Sequence, residues 1–206
     1  MTTLYFRPGT CALAPHVALE WIGAPYEAKP IRAASPELLA LNPAGAVPVL
    51  EEADGWILTQ AGAILRYLAR KHPEAGIGGG TGLRAEAEGE RWSSFLTGDL
   101  HPAFYPVFMP YRYTTDGSEE AKARVAAAGV ALVRKKLDLI EAHLAEREWF
   151  LDDRSIIDAY AFPMLRWARA KVQGGLAGWP GTSALHDRLA ADPAVLRVLE
   201  VHRGAQ

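Results

Sequence analysis

Val47-Pro48-Val49-Leu50, the turn residues Asp54-Gly55, Ile57-Leu58-Thr59 and a helical run from Gln60 to His72 constrain the fold more than any other stretch. Two apolar segments meeting at a turn, Val47–Leu50 and Trp56–Leu58, read as a strand pair. Pro48 has no N–H to give to a ladder, so it marks an edge, a bend or a cis turn. Were the Val47-Pro48 bond cis, the backbone groups of Val47 would turn outward, open to an extended peptide. The helix opening near Gln60 adds unpaired N–H groups and the positive end of its dipole, which suit a carboxylate. A strand edge beside a carboxylate cradle describes a pocket for a small acidic peptide.

The segments before this strand pair alternate. Leu4-Tyr5-Phe6 reads as a strand stopped by Pro8-Gly9. Ala14, Val17, Ala18, Trp21 and Ile22 repeat at helical spacing up to Gly23, Tyr26–Ile31 is a second strand, and Pro36–Leu41 is a short helix before the turn Asn42-Pro43-Ala44-Gly45. Strand-helix-strand-helix-strand-strand-helix is the order of a thioredoxin-like sheet. Residues 76–82 contain five glycines and mark a linker between a first domain, 1–75, and a second, 83–206. Beyond it strand signals nearly vanish. Trp92, Phe95, Leu96 and Leu100 mark one amphipathic helix, and Val133, Leu137, Ile140 and Leu144 another. Ser155-Ile156-Ile157-Asp158 is a capping-box variant opening a helix through Trp167, which Pro163 should kink or strain. Asp192-Pro193 is an N-cap followed by proline at the first helical position. The expected fold is α/β followed by all-α, a thioredoxin-like domain and then a helical bundle.

Composition narrows the function. A chain of 206 residues with 22% charged residues and a net charge of -2 is ordinary for a soluble globular protein and argues against nucleic acid as the main partner. No apolar run is long enough to span a membrane, and the first residues carry no signal-peptide pattern. One cysteine cannot form an internal disulfide, which suits a cytoplasmic setting. No cluster of histidines, cysteines and carboxylates has metal-ligand spacing, so no metal is expected.

Taken in order, Arg7-Pro8-Gly9-Thr10-Cys11-Ala12-Leu13-Ala14-Pro15-His16, Asn42-Pro43-Ala44-Gly45, Val47–Leu50, Leu58-Thr59-Gln60, Ala63–Leu68, Leu100-His101 and Ser155–Tyr160 resemble the glutathione transferase family, and more narrowly its bacterial beta class. The resemblance implies a homodimer with a cis proline and with glutathione, an acidic tripeptide, as cosubstrate rather than as a permanently bound cofactor. It implies transfer of the glutathione thiol to a hydrophobic electrophile, or its exchange with a disulfide, in the manner of detoxification. A glutathione-dependent isomerase or dehalogenase, and a noncatalytic binding protein, are the other readings that the same pocket permits.

Cys11 is the central candidate. It follows a Pro-Gly turn near the start of the first helix, where N–H groups stabilise a thiolate. A lone cysteine is otherwise a small buried hydrophobe. In the beta class this cysteine lies beside the glutathione sulfur. His101 is the expected helper, stabilising a thiolate when protonated or accepting the thiol proton when neutral. Val47 and Pro48 offer backbone to the peptide, and Gln60 and Ala61 match positions that hold its γ-glutamyl end. Asp99, across a dimer interface, would meet the substrate amine, and Arg32 the glycyl carboxylate. The beta-class tyrosine two residues before Pro-Gly is Phe6 here, and the serine after the cysteine is Ala12, with Thr10 offering a hydroxyl nearby. Tyr5 should point to the other face of its strand. Phe6, Phe104, Tyr105, Phe108 and Trp167 are the expected walls of a hydrophobic acceptor site, with Met109, Tyr111 and Tyr113 close by. Arg112, Arg166 and Arg169 would bias that site toward anionic acceptors. His16 and His72 read as solvated or capping residues.

Overall fold

A computed structural model describes residues 1–205. Among them the strands β1 (Thr2–Phe6), β2 (Tyr26–Pro30), β3 (Val49–Glu51) and β4 (Ile57–Thr59) form one mixed sheet in the order β2-β1-β3-β4. β1 runs parallel to β2 and antiparallel to β3, which pairs antiparallel with β4. Three helices complete this part: α1 (Leu13–Ile22), α2 (Pro36–Leu41) and α3 (Ala61–Lys71). α1 ends on Gly23 at φ 72°, a left-handed conformation that lets its N–H reach back to the carbonyl of Leu19. Strand alternation divides the sheet faces. Leu4 and Leu50 pack with α1 and α3, whereas Tyr5 and Val49 pack with Leu38 of α2.

The rest of the described chain is helical. α4 (Leu83–Phe95) passes into a π-helical segment, Leu96–Leu100, and then into the short helices α5 (His101–Ala103) and α6 (Tyr105–Phe108). α7 (Glu119–Leu144), α8 (Ile156–Lys171), α9 (Pro180–Ala191) and α10 (Pro193–Gly204) complete the order. α8 lies at the centre, with most of its side chains from Ile156 to Leu165 buried. It runs on through Pro163 as one helix. Its first turn is closed by a full capping box. The Ser155 side chain accepts from Ile157 N–H, and Asp158 accepts from the Ser155 N–H and hydroxyl and from the Phe150 N–H. The glycine-rich stretch 76–82 is fastened to this cap, because Ile77 is buried and its carbonyl accepts from the Ile156 N–H at 2.9 Å.

A single apolar core joins α1 and α3 to α8 and its neighbours, so the sheet part and the helical part share one interior. α3 and the π-helical segment approach closely at Gly62, where a Cβ would stand 2.9 Å from Thr97 Cγ2. No helix among the described residues is long and apolar enough to cross a membrane.

One histidine reading changes, that of His16, and the capping reading of His72 stands. His16 is not solvated: it is 1% exposed, and its Nδ1 lies 3.1 Å from Nε2 of His202 on α10. Phe6 is fully buried against the same pair, stacked on His202 at a centroid distance of 4.4 Å. It therefore lies in the core and not in an acceptor site. His72 caps the end of α3 and pairs with Glu74.

Candidate functional site

A cleft of about 570 Å³ opens between the two parts. From the sheet side it is lined by Cys11, the loop Asn42–Pro48 in part, and the first turn of α3. Asn42 shapes that loop by donating to the Ala46 carbonyl and accepting from the Ala44 N–H. The Val47-Pro48 bond is cis, and both residues face the cleft. Gln60 precedes α3 at φ 73°, a conformation uncommon outside glycine, and Ala61, Gly62 and Ala63 bring the helix start to the cleft wall. Arg66 of α3 and Glu90 of α4 form an ion pair that joins the two walls, and the helical side adds Ser93, Ser94, Thr97, His101, Tyr105 and Tyr160.

Cys11 stands two residues before α1, and its Sγ donates to the Val47 carbonyl at 3.7 Å. Its thiol is pushed up to about 11, because enclosure outweighs the opposing backbone hydrogen bond. The helix start does not deliver a thiolate here. His101 comes directly after the π-helical segment, whose wide turn is closed by His101 N–H to Leu96 O. The extra residue rotates the downstream chain by about 100° relative to a regular α-helix. Burial lowers His101 to about 4, so the imidazole is neutral at pH 7. Its Nδ1 is 2.8 Å from the hydroxyl of Tyr160, which burial holds protonated. Tyr105 and Tyr160 are close enough to Cys11 for a charge there to raise both phenols.

An aromatic cluster adjoins this array. Trp167 packs against His101, Phe104 and Phe108, and its Nε1 donates to the Gly9 carbonyl at 2.9 Å. Tyr105 and Phe108 are partly open to solvent, whereas Phe104 is buried beneath them. Tyr111 and Tyr113 are exposed.

Several expected participants lie elsewhere. Asp99 is exposed on the π-helical segment and paired with Lys136, not on the cleft wall. Arg32 is exposed on the loop after β2 and does not line the cleft. Thr10 gives its hydroxyl proton to the Arg7 carbonyl and closes its own turn. Tyr5 is on the opposite sheet face, bonded to Glu51. Arg166 and Arg169 border a separate pocket with Phe162, His186 and Leu199, so they cannot tune this cleft by contact. Sequence reasoning gave no role to Tyr160, Arg66 or Glu90. The Tyr160 signal was present, two residues after the capping aspartate, but its partner His101 is 59 residues away.

Residues 1–70 match the profile of the glutathione S-transferase N-terminal domain, and residues 100–193 that of the C-terminal domain. A protein of Xanthomonas campestris, glutathione S-transferase GST-4.5, is 39% identical over 96% of this chain and 97% of its own. The solved beta-class glutathione S-transferase of Sphingomonas chungbukensis is 31% identical, with a TM-score of 0.85 over 97% of this chain and 98% of its own. A sphingomonad glutathione S-transferase solved in complex with glutathione is 33% identical, with a TM-score of 0.83 over 97% and 98% of the two chains. The chain belongs to the glutathione S-transferase family.

Proposed function

We propose that the cleft binds glutathione as cosubstrate and that the chain is a glutathione transferase, directing the bound thiol to a hydrophobic electrophile or a disulfide. One observation carries this reading: Val47-Pro48, the start of α3, Cys11 and His101 converge on a single cleft. Val47 and Pro48 lie alongside the tripeptide backbone. The first amides of α3 and the side chain of Gln60 receive the γ-glutamyl end, where the helix dipole favours a carboxylate. The sulfur then falls between Cys11 and His101. The glutathione-bound sphingomonad relative supports the same choice of ligand. Residues 1–75 form the glutathione-binding domain, 76–82 the linker, and 83–206 supplies the acceptor wall of Tyr105, Phe108 and Trp167. The working unit is a cytoplasmic homodimer.

Cys11 enters as a thiol. In conjugation its S–H donates to the glutathione thiolate as that sulfur attacks the electrophile. With a mixed disulfide of glutathione, Cys11 attacks the glutathione sulfur and passes its proton to the departing thiol. A second glutathione thiolate then breaks the Cys11–glutathione bond, releasing glutathione disulfide and leaving Cys11 to regain a proton. Calorimetric titration with reduced glutathione should saturate at one site per chain, and a chain that takes up none would end the proposal. Cys11→Ala should abolish turnover of mixed disulfides while still binding glutathione; unchanged turnover would remove Cys11 from the chemistry.

A further inference from the structure

We propose that Tyr160 is a positioning residue: by donating its hydroxyl proton to His101 Nδ1, it holds His101 as the Nε2–H tautomer and makes it a neutral hydrogen-bond donor to the cleft. The geometry begins in α8, where the capping box at Ser155 and Asp158 fixes the first turn and Tyr160 stands on the second. Tyr160 is 5% exposed, and its hydroxyl is 2.8 Å from His101 Nδ1. Among the described residues it has no other hydrogen-bond partner. A buried phenol proton needs an acceptor, and the imidazole nitrogen is the one within reach. Nδ1 can accept only if the ring proton sits on Nε2. The opposite arrangement, with Nδ1–H donating to the phenol oxygen, would leave the phenol proton without a protein acceptor.

The protonation states agree with this geometry. Burial keeps the Tyr160 proton in place and keeps His101 neutral. Tyr105 and Trp167, each with a ring centroid 5.2 Å from that of His101, restrict rotation of the imidazole plane. With Nδ1 occupied, Nε2–H on the opposite ring edge is what His101 has to offer. Such a group cannot take a proton from a thiol; it can donate to an anion in the cleft. If the anion is the glutathione thiolate, the inference rests on the function proposed above; the tautomer itself does not.

Long-range proton–nitrogen NMR of the imidazoles at pH 7, with His101 assigned by its loss in His101→Gln, tests the tautomer directly. The expected spectrum has a protonated Nε2 and a bare Nδ1, and Tyr160→Phe should convert it to a tautomer mixture. A proton on Nδ1 in the native protein, or an unchanged tautomer in Tyr160→Phe, would overturn the proposal. In turnover, Tyr160→Phe should keep glutathione affinity within ~2-fold while kcat falls ~10-fold, the worth of about one hydrogen bond. An unchanged kcat with a raised KM would contradict it. A native protein that fails to bind glutathione would refute the functional reading alone, and the NMR result would still decide the role of Tyr160.

Discussion

A helix start lowers a thiol pKa because its amides face the thiolate, and enclosure raises it because water is withdrawn from the charge. At Cys11 enclosure is the larger effect, moving the thiol from 9.0 to about 11. That is about a 100-fold smaller thiolate fraction at neutral pH, since each pKa unit is a factor of ten. Alkylation of Cys11 by iodoacetamide at pH 7 should therefore run about 100-fold slower than for a free cysteine of pKa 9.0, and should climb with pH up to about 11. A rate already at its plateau near pH 8 would show that a thiolate is stabilised after all. Gln60 carries a second residue-scale effect. At φ 73° it bears a backbone cost that glycine would not, yet it stands on the cleft wall. Gln60→Gly should raise the melting temperature and weaken glutathione binding. A gain in both would separate the strained backbone from the site.

α8 is organised from its first turn. Asp158 is buried and accepts three hydrogen bonds from Phe150 and Ser155, although desolvation still lifts its carboxyl to about 6. Asp158→Ala removes the cap and orphans buried N–H groups, so a loss of about 2–4 kcal/mol is expected in urea unfolding. A loss below ~0.5 kcal/mol would mean that water replaces the carboxylate without cost. This cap was legible because Ser155 and Asp158 are three residues apart and the physics is local. The same holds for Gly23, Asp192-Pro193 and the strand alternation that turns Tyr5 away from Phe6. The π-helical segment was not legible: no residue type in Leu96–Leu100 announces one extra residue in a turn, so only the folded chain shows the sides on which Asp99 and His101 emerge. The burial of Phe6 and His16 is illegible in the sequence for a different reason. Their burial depends on α10, which returns about 190 residues later to set His202 against both rings. Cys11, Val47, Pro48, Gln60, Ala61 and His101 line one cleft, whereas Arg32, Asp99, Thr10 and Phe6 do not.

Across the molecule, α10 closes on α1 through a buried, uncharged histidine pair. Burial depresses both His16, to about 4, and His202 below it. His101 is depressed to about 4 as well. Depressed histidines take up protons in the unfolded chain before the folded one. Their contribution is complete above pH 6.5 and is lost as pH falls from 6.5 through about 4. Asp158, raised to about 6, has the opposite sign: its folded form gains relative stability as pH falls from 6 toward 3.8. Three histidines outweigh one aspartate, so the melting temperature should drop between pH 6.5 and 4, and less steeply in His202→Gln. A flat profile would place charge or water beside the pair. The measurement that bears most directly on the proposed function is a crystal structure of the protein with reduced glutathione. The tripeptide should lie along Val47 and Pro48, with its γ-glutamyl carboxylate at the first amides of α3 and its sulfur beside Cys11, within hydrogen-bond reach of His101 Nε2. A tripeptide bound elsewhere, or a sulfur turned away from Cys11, would contradict it.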